Sequence, residues 1–232
     1  MHIPDGYLSP QTYVPMFGAV IPFWLIAFRK IKKTVKETYI PYIAMSAVFS
    51  FLIMMFNIPI PGGTTGHAIG AGLIAILLGP WAAVVSVSIV LIIQAFIFGD
   101  GGITAIGANC FNMAVVMPFV SLWTFKLING RKYSVWRFKL GAFLAGYTGL
   151  FAASVFTAVQ LGIQPLTAKS PEGVPLYSPY PLEIALPVMA LEHLLLFGII
   201  EGLLTMIILS YFYKNEPDSI YAIKFIKITP KV

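Results

Sequence analysis

A histidine at position 2 has a particular chemical opportunity when residue 1 keeps its free amine. The Met1 amine, the deprotonated backbone nitrogen of His2 and the His2 Nδ1 can close fused chelate rings on a single metal ion. The clamp is planar and made of nitrogen only, and one further imidazole completes a square plane. That geometry belongs with Ni(II) or Cu(II), whereas closed zinc sites are tetrahedral. The turn residues Pro4, Asp5 and Gly6 follow at once, and they are suited to folding the terminus back toward the rest of the chain.

Two other histidines can supply the fourth nitrogen, His67 and His193. His67 follows Pro61-Gly62-Gly63-Thr64-Thr65-Gly66, where glycines let the backbone approach a ligand closely. Thr64 and Thr65 can cap a helix beginning there or bond to groups around the imidazole. A structural alternative stands beside this: Gly66 and Gly70 form a small-residue packing face, and His67 bonds within a helix bundle. Other polar residues lie in apolar surroundings. Asp100, Asn109 and Asn112 form one group and Glu192, His193 and Glu201 another; each is costly to bury alone. Asn109 and Asn112, three apart on one helix face, suit either fixing the terminal arm or the His67 imidazole, or bonding between helices. Glu192 and His193 are adjacent and diverge around a helix, while Glu201 lies about 12 Å along the axis from His193. That second group therefore reads as a structural polar network more than as a metal site.

These residues must be positioned in a membrane. Charged residues make up only 10% of the 232 positions and hydrophobic ones 58%, against about 25% charged in an ordinary soluble domain. The pattern predicts one transmembrane domain with seven spans, near 8–28, 39–58, 66–79, 81–98, 103–125, 138–163 and 186–213. The third is too short to cross alone, which implies a short or partly re-entrant helix, or a packed helix entered by a loop; such interruptions favour ligand sites in transporters. Residues 164–185 carry five prolines and form an external loop.

Charge placement sets the orientation. Of 15 basic residues, all but Lys169 fall between spans one and two, between spans five and six, or after span seven. An odd number of spans puts those three segments on one side, which the positive-inside rule makes cytoplasmic. The N-terminus then lies outside, with the 59–66 loop and Asp100. No basic leader segment precedes the first span, so the mature chain is expected to begin at Met1.

Several classes are excluded or disfavoured. The single cysteine, Cys110, removes an internal disulfide and CxxC chemistry. No phosphate-binding or dinucleotide-binding glycine motif occurs, so the chain is not expected to couple ATP hydrolysis by itself. The nine methionines form no external cluster suited to passing copper along thioethers. The basic excess is explained by membrane topology, without nucleic acid.

Met1-His2-Ile3-Pro4-Asp5-Gly6-Tyr7-Leu8-Ser9-Pro10, Gly63-Thr64-Thr65-Gly66-His67, Gly107-Ala108-Asn109-Cys110-Phe111-Asn112-Met113 and Glu201-Gly202 together resemble the CbiM/NikM family over nearly the whole chain. These are substrate-binding membrane components of energy-coupling-factor importers for cobalt or nickel. The resemblance implies an all-α, seven-transmembrane-helix bundle with an extra N-terminal helix. It implies Ni²⁺ or Co²⁺ as transported substrate, held by Met1, His2 and His67, with no organic cofactor. Asn109, Phe111 and Asn112 match a polar and aromatic patch in a supporting role. Implied partners are a transmembrane coupling subunit, two cytosolic ATPase subunits and, where needed, a small accessory membrane subunit; the chain itself performs no covalent chemistry. The implied location is the cell (inner) membrane of a prokaryote. The competing mechanisms are a secondary metal-cation transporter working without ATPase partners, though no convincing repeat supports it, and a membrane scaffold that binds no metal. Nickel and cobalt are not distinguished.

Overall fold

Residues 1–34, 39–60, 64–130 and 134–225 are described in a computed structural model of the chain. Their helices are α1 (Pro10–Thr34), α2 (Ile40–Met54), α3 (Ala71–Leu77), α4 (Pro80–Phe98), α5 (Ile106–Asn129), α6 (Val135–Thr167) and α7 (Leu182–Asn215). Five are long and apolar enough to cross a bilayer, while α2 has 15 residues and α3 only 7. A two-stranded antiparallel hairpin, β1 (Ile58–Ile60) and β2 (Thr64–Gly66), joins α2 to α3.

The segment expected as span 66–79 divides in two. Gly66 to Gly70 runs as strand and loop, and only the remainder coils, so α3 covers about 10 Å of depth. The dividing residue is Gly70, held at φ +76°, a conformation a residue with Cβ rarely takes. Its reach is short, but α3 is buried from Ala71 to Ile76. The segment expected as external loop 164–185 is also trimmed by helix at both ends, by the last turn of α6 through Thr167 and by α7 from Leu182. Pro165 and Pro181 cause no conflict, because each lies in the first turn of a helical segment or just before it, where the missing N–H has no bond to make.

The centre of the bundle is α6, packed on α5 and α7. Its buried face is made of small residues, Gly141, Ala142, Ala145, Gly146, Gly149 and Ala153, which bring neighbouring backbones close. A Cβ at Gly146 would lie 2.7 Å from the Glu201 carbonyl oxygen on α7, and one at Gly149 would lie 2.9 Å from the Met117 carbonyl oxygen on α5. Large apolar side chains instead face outward from α1, including Val14, Leu25 and Phe28. That inversion of the soluble pattern is what a lipid solvent selects.

Basic ends of the helices gather at one end of the bundle. Lys30 on α1 lies 5.2 Å from the Trp81 ring at the start of α4, and Lys126 on α5 sits 3.6 Å from the Phe225 ring in the turn after α7. The start of α1 lies about 30 Å from Lys30 along the helix axis, and the first nine residues fold there.

Candidate metal site

Residues 1–9 turn back into the bundle as an arm. Met1 and Ile3 are fully buried, and so nearly are His2 and Leu8. The arm is tied to α5, to the loop just before it and to α6. The Ile3 N–H donates to Asn109 Oδ1 at 2.9 Å, and Asn109 Nδ2 donates back to the Ile3 carbonyl at 3.2 Å. That carbonyl also accepts from Gly102 N–H at 2.8 Å. The Asp5 carboxylate accepts from the N–H groups of Ile103 and Thr104 and from the Thr104 hydroxyl. Burial raises the Asp5 pKa, but these bonds outweigh it and hold the carboxyl below its ordinary range. At the foot of the arm, Ser9 N–H donates to Gln164 Oε1, and Gln164 Nε2 donates to Thr12.

The arm delivers the terminal amine to His67. Met1 N lies 3.4 Å from His67 Nε2, and His2 Nδ1 lies 3.2 Å from the same atom. The two imidazole planes are 23° apart with centroids 4.7 Å apart. His67 Nδ1 faces the Ala68 carbonyl at 3.1 Å and donates its proton there, which leaves Nε2 with a free lone pair. His2 Nδ1 also lies 3.2 Å from Asp100 Oδ1. Among the described residues, His, Cys, Asp and Glu side chains alone make no cluster of three suited to a metal. The terminal amine is therefore decisive in what this place can do.

Electrostatics favour neutral nitrogen here. Burial lowers the Met1 amine from about 8 to about 5, with the Asp100 and Glu192 carboxylates opposing the shift. Burial likewise lowers His2, against the opposing contact with Asp100. Burial raises Asp100, but the His2 hydrogen bond and the attraction of His2 and the Met1 amine in their protonated forms outweigh it and hold the carboxyl below its ordinary value.

The other expected residues separate. Asn109 serves the arm, as described. Asn112 does not reach His67: it exchanges paired amide bonds with Gln160 at 2.8 and 2.9 Å and donates to Thr157, joining α5 to α6. Phe111 packs edge-on against Phe23 of α1 and beside Phe156 of α6. The side chains of Thr64 and Thr65 lie outside the described residues. Gly66 and Gly70 do not form a helix face, since the first is in β2 against the Phe197 ring and the second is the left-handed turn. His193 donates from Nδ1 to the Met189 carbonyl at 2.8 Å, and its Nε2 is buried with no partner among the described residues. Glu201 is fully buried and accepts from Ile69 N–H at 2.7 Å and Gly70 N–H at 3.0 Å.

Sequence reasoning named Asp5 only as a turn residue and missed both its carboxylate and Gly102 as holders of the arm. A carboxylate three residues beyond a potential ligand, and a glycine just after the Asp100-Gly101 turn, were the available signals. It also missed the π-helical turns at Gln94–Phe98, Cys110–Val116 and His193–Phe197. Such turns recur at functional sites because the extra residue re-aims side chains.

A family profile described as the cobalt uptake substrate-specific transmembrane region matches residues 2–219. The fused nickel transport protein NikMN of Rhodobacter capsulatus is 50% identical over 94% of this chain and 63% of its own length, so this chain spans under two thirds of that relative. The cobalt transport protein CbiM of Lachnoclostridium phytofermentans is 36% identical over 90% of this chain and 80% of its own length. A crystal structure of a truncated transition metal transporter superposes with a TM-score of 0.89 at 47% identity, covering 92% of this chain and 99% of the other.

Proposed function

The chain belongs to the CbiM/NikM family of cobalt and nickel transport components, and on that premise we propose that it binds extracytoplasmic Ni²⁺ or Co²⁺ in a planar nitrogen site for ATP-driven uptake. The observation that carries the reading is the convergence of Met1 N and His2 Nδ1 on His67 Nε2, at 3.4 and 3.2 Å. In a square plane the amine and His2 Nδ1 are trans, and the fourth ligand is adjacent to both. Metal–nitrogen bonds of about 2.0 Å put adjacent nitrogens about 2.8 Å apart, so a few tenths of an ångström of closure completes the plane. The His2 amide nitrogen would stand opposite His67.

Charge supports the same assignment. A divalent ion in a buried site is costly unless it is compensated. Loss of the His2 amide proton supplies one negative charge, and Asp100, in contact with His2, supplies a second. The amine and both imidazoles bind as neutral ligands, so these two charges match the ion's, and the Glu192 carboxylate, which also acts on the Met1 amine, adds to the negative surroundings.

Presentation to the interior falls to partners. A transmembrane coupling subunit and two cytosolic ATPase subunits, with a small accessory membrane subunit where the system includes one, would convert ATP hydrolysis into inward release. The N-terminal arm faces outside, and the gathered basic ends and the C-terminus face the cytoplasm, in accord with the positive-inside rule.

The test is a Ni²⁺ and Co²⁺ titration of detergent-purified protein with a free Met1 amine, followed by calorimetry and visible absorption. Beside it stand a form with one residue added before Met1 and the variants His2→Ala and His67→Ala. One-to-one binding with a planar nitrogen spectrum, impaired in all three altered forms, is the expected result. Normal affinity in all three rejects the coordination.

A further inference from the structure

A carboxylate buried at membrane depth is expensive, and it persists where it has a task. Glu201 is fully buried on α7, and its two oxygens meet two backbone N–H groups, those of Ile69 and Gly70. The first of these N–H groups belongs to the peptide unit whose carbonyl is that of Ala68. That carbonyl accepts the His67 Nδ1–H at 3.1 Å. A trans peptide directs its N–H and C=O to opposite sides. One peptide plane therefore has the Glu201 carboxylate at one end and the His67 imidazole at the other.

We propose that Glu201 is a positioning residue for the metal ligand His67, acting through the Ala68–Ile69 peptide. This rests on the assignment of His67 as a ligand. A ligating histidine is oriented by the acceptor its other nitrogen bonds to, and a carboxylate usually serves. Here the carboxylate is one peptide removed. By binding the N–H end it polarises the carbonyl, strengthens the bond from Nδ1–H and keeps the lone pair on Nε2, the atom facing Met1 and His2.

Three features fix this arrangement in place. Ser50 on α2 donates to the Ile69 carbonyl at 2.7 Å, holding the next peptide from the opposite side. The Gly70 N–H meets the same carboxylate as Ile69, and the left-handed φ of Gly70 then turns the chain away from it into α3. Gly146 on α6 lets the two backbones pack closely there, since a Cβ in its place would come within 2.7 Å of the Glu201 carbonyl oxygen. The ligand's orientation is thereby tied to the packing of α6 against α7.

The experiment is a double-mutant cycle on the full chain with Ni²⁺, measured against a competing chelator. Glu201→Gln keeps size but turns an NH₂ group toward a backbone N–H, a contact between two donors. The expected loss is about 10- to 100-fold in affinity with His67 present. In the His67→Ala background, where the Met1 and His2 clamp keeps residual binding measurable, the same change should cost less than about twofold. Equal losses in both backgrounds, or no loss with His67 present, overturn the proposal while leaving the coordination intact. A His67→Ala protein that binds as well as the parent removes His67 as a ligand, and with it the reading on which the proposal rests. If Glu201→Gln does not fold, Ser50→Ala replaces it: the expected loss is smaller and again requires His67, and an equal loss in both backgrounds overturns the proposal.

Discussion

Asn109 and Ile3 exchange two hydrogen bonds, side-chain amide to backbone, at 2.9 and 3.2 Å, so that one asparagine on α5 satisfies both polar groups of a residue deep in the arm. The pairing fixes the peptide directly after His2. Asn112, one turn further along α5, is equally buried but bonds only to α6 residues.

These two asparagines should therefore part company on substitution. Asn109→Leu leaves the Ile3 N–H buried without its acceptor, a cost of about 1–3 kcal/mol, and that cost falls on docking of the arm. Nickel affinity should drop about tenfold or more. Asn112→Leu should lower the thermal midpoint of the bundle by removing the amide pair with Gln160, with metal affinity unchanged within about twofold. Paired melting and binding curves check both, and a reversed ranking would sink the division of labour.

Gly102 should tolerate no side chain. A Cβ there would come within 2.4 Å of Asp5 N and 2.7 Å of the Pro4 carbonyl carbon, both of them backbone atoms that cannot rotate aside. Gly102→Ala should expel the arm and reduce metal binding, with helix content by circular dichroism unaltered. Protease nicking within residues 1–9 in Gly102→Ala but not in the parent would report the expulsion directly.

The pH profile of binding follows from the buried amine. Burial, opposed by Asp100 and Glu192, brings the Met1 amine to about 5, so it is neutral and able to bind at pH 7. Because binding also displaces the His2 amide proton, affinity should fall about tenfold per pH unit throughout, and the amine adds its own proton competition only as pH falls through about 5; for an exposed amine that addition begins near 8. Ni²⁺ titrations at a series of pH values should show the dependence steepening around pH 5. Steepening already near 8 would mean that the amine is not held in the bundle.

Asp100 should matter through charge. Asp100→Asn keeps the shape and removes the negative charge beside His2 Nδ1. A loaded site that carries an uncompensated positive charge should bind Ni²⁺ more weakly, by about tenfold or more. Calorimetry in two buffers of different protonation enthalpy would separate this from a change in the number of protons released. Unchanged affinity would remove Asp100 from the charge balance.

Much of the architecture was legible because lipid imposes a severe constraint on sequence. Scarce charges, long apolar runs and the clustering of basic residues marked the long helices, since each must satisfy its own backbone and keep its charges at the ends. The same arithmetic flagged the third segment as too short. Its division at Gly70 into a loop that carries His67 and a seven-residue helix could not be read, because hydropathy does not register the handedness of one residue.

The site shows the same boundary. Local chemistry nominated Met1 and His2, whose three nitrogens are linked by covalent geometry within two residues, and the glycine-rich approach nominated His67. What brings them together depends on contacts about a hundred residues apart in sequence or more: Asp5 to Ile103 and Thr104, Ile3 to Asn109, Ser9 to Gln164, and Glu201 to the Ile69 and Gly70 peptides. Periodicity shows which face of a helix is apolar, but not which distant backbone donor a buried carboxylate will meet. Glu201 and Asn112 looked alike in sequence, each a polar residue in an apolar helix; only the packing of α6 against α5 and α7 places one against the His67 loop and the other against Gln160. The candidate ligand atoms follow from residue type, whereas their convergence follows from tertiary hydrogen bonds that the chain forms once its helices are assembled.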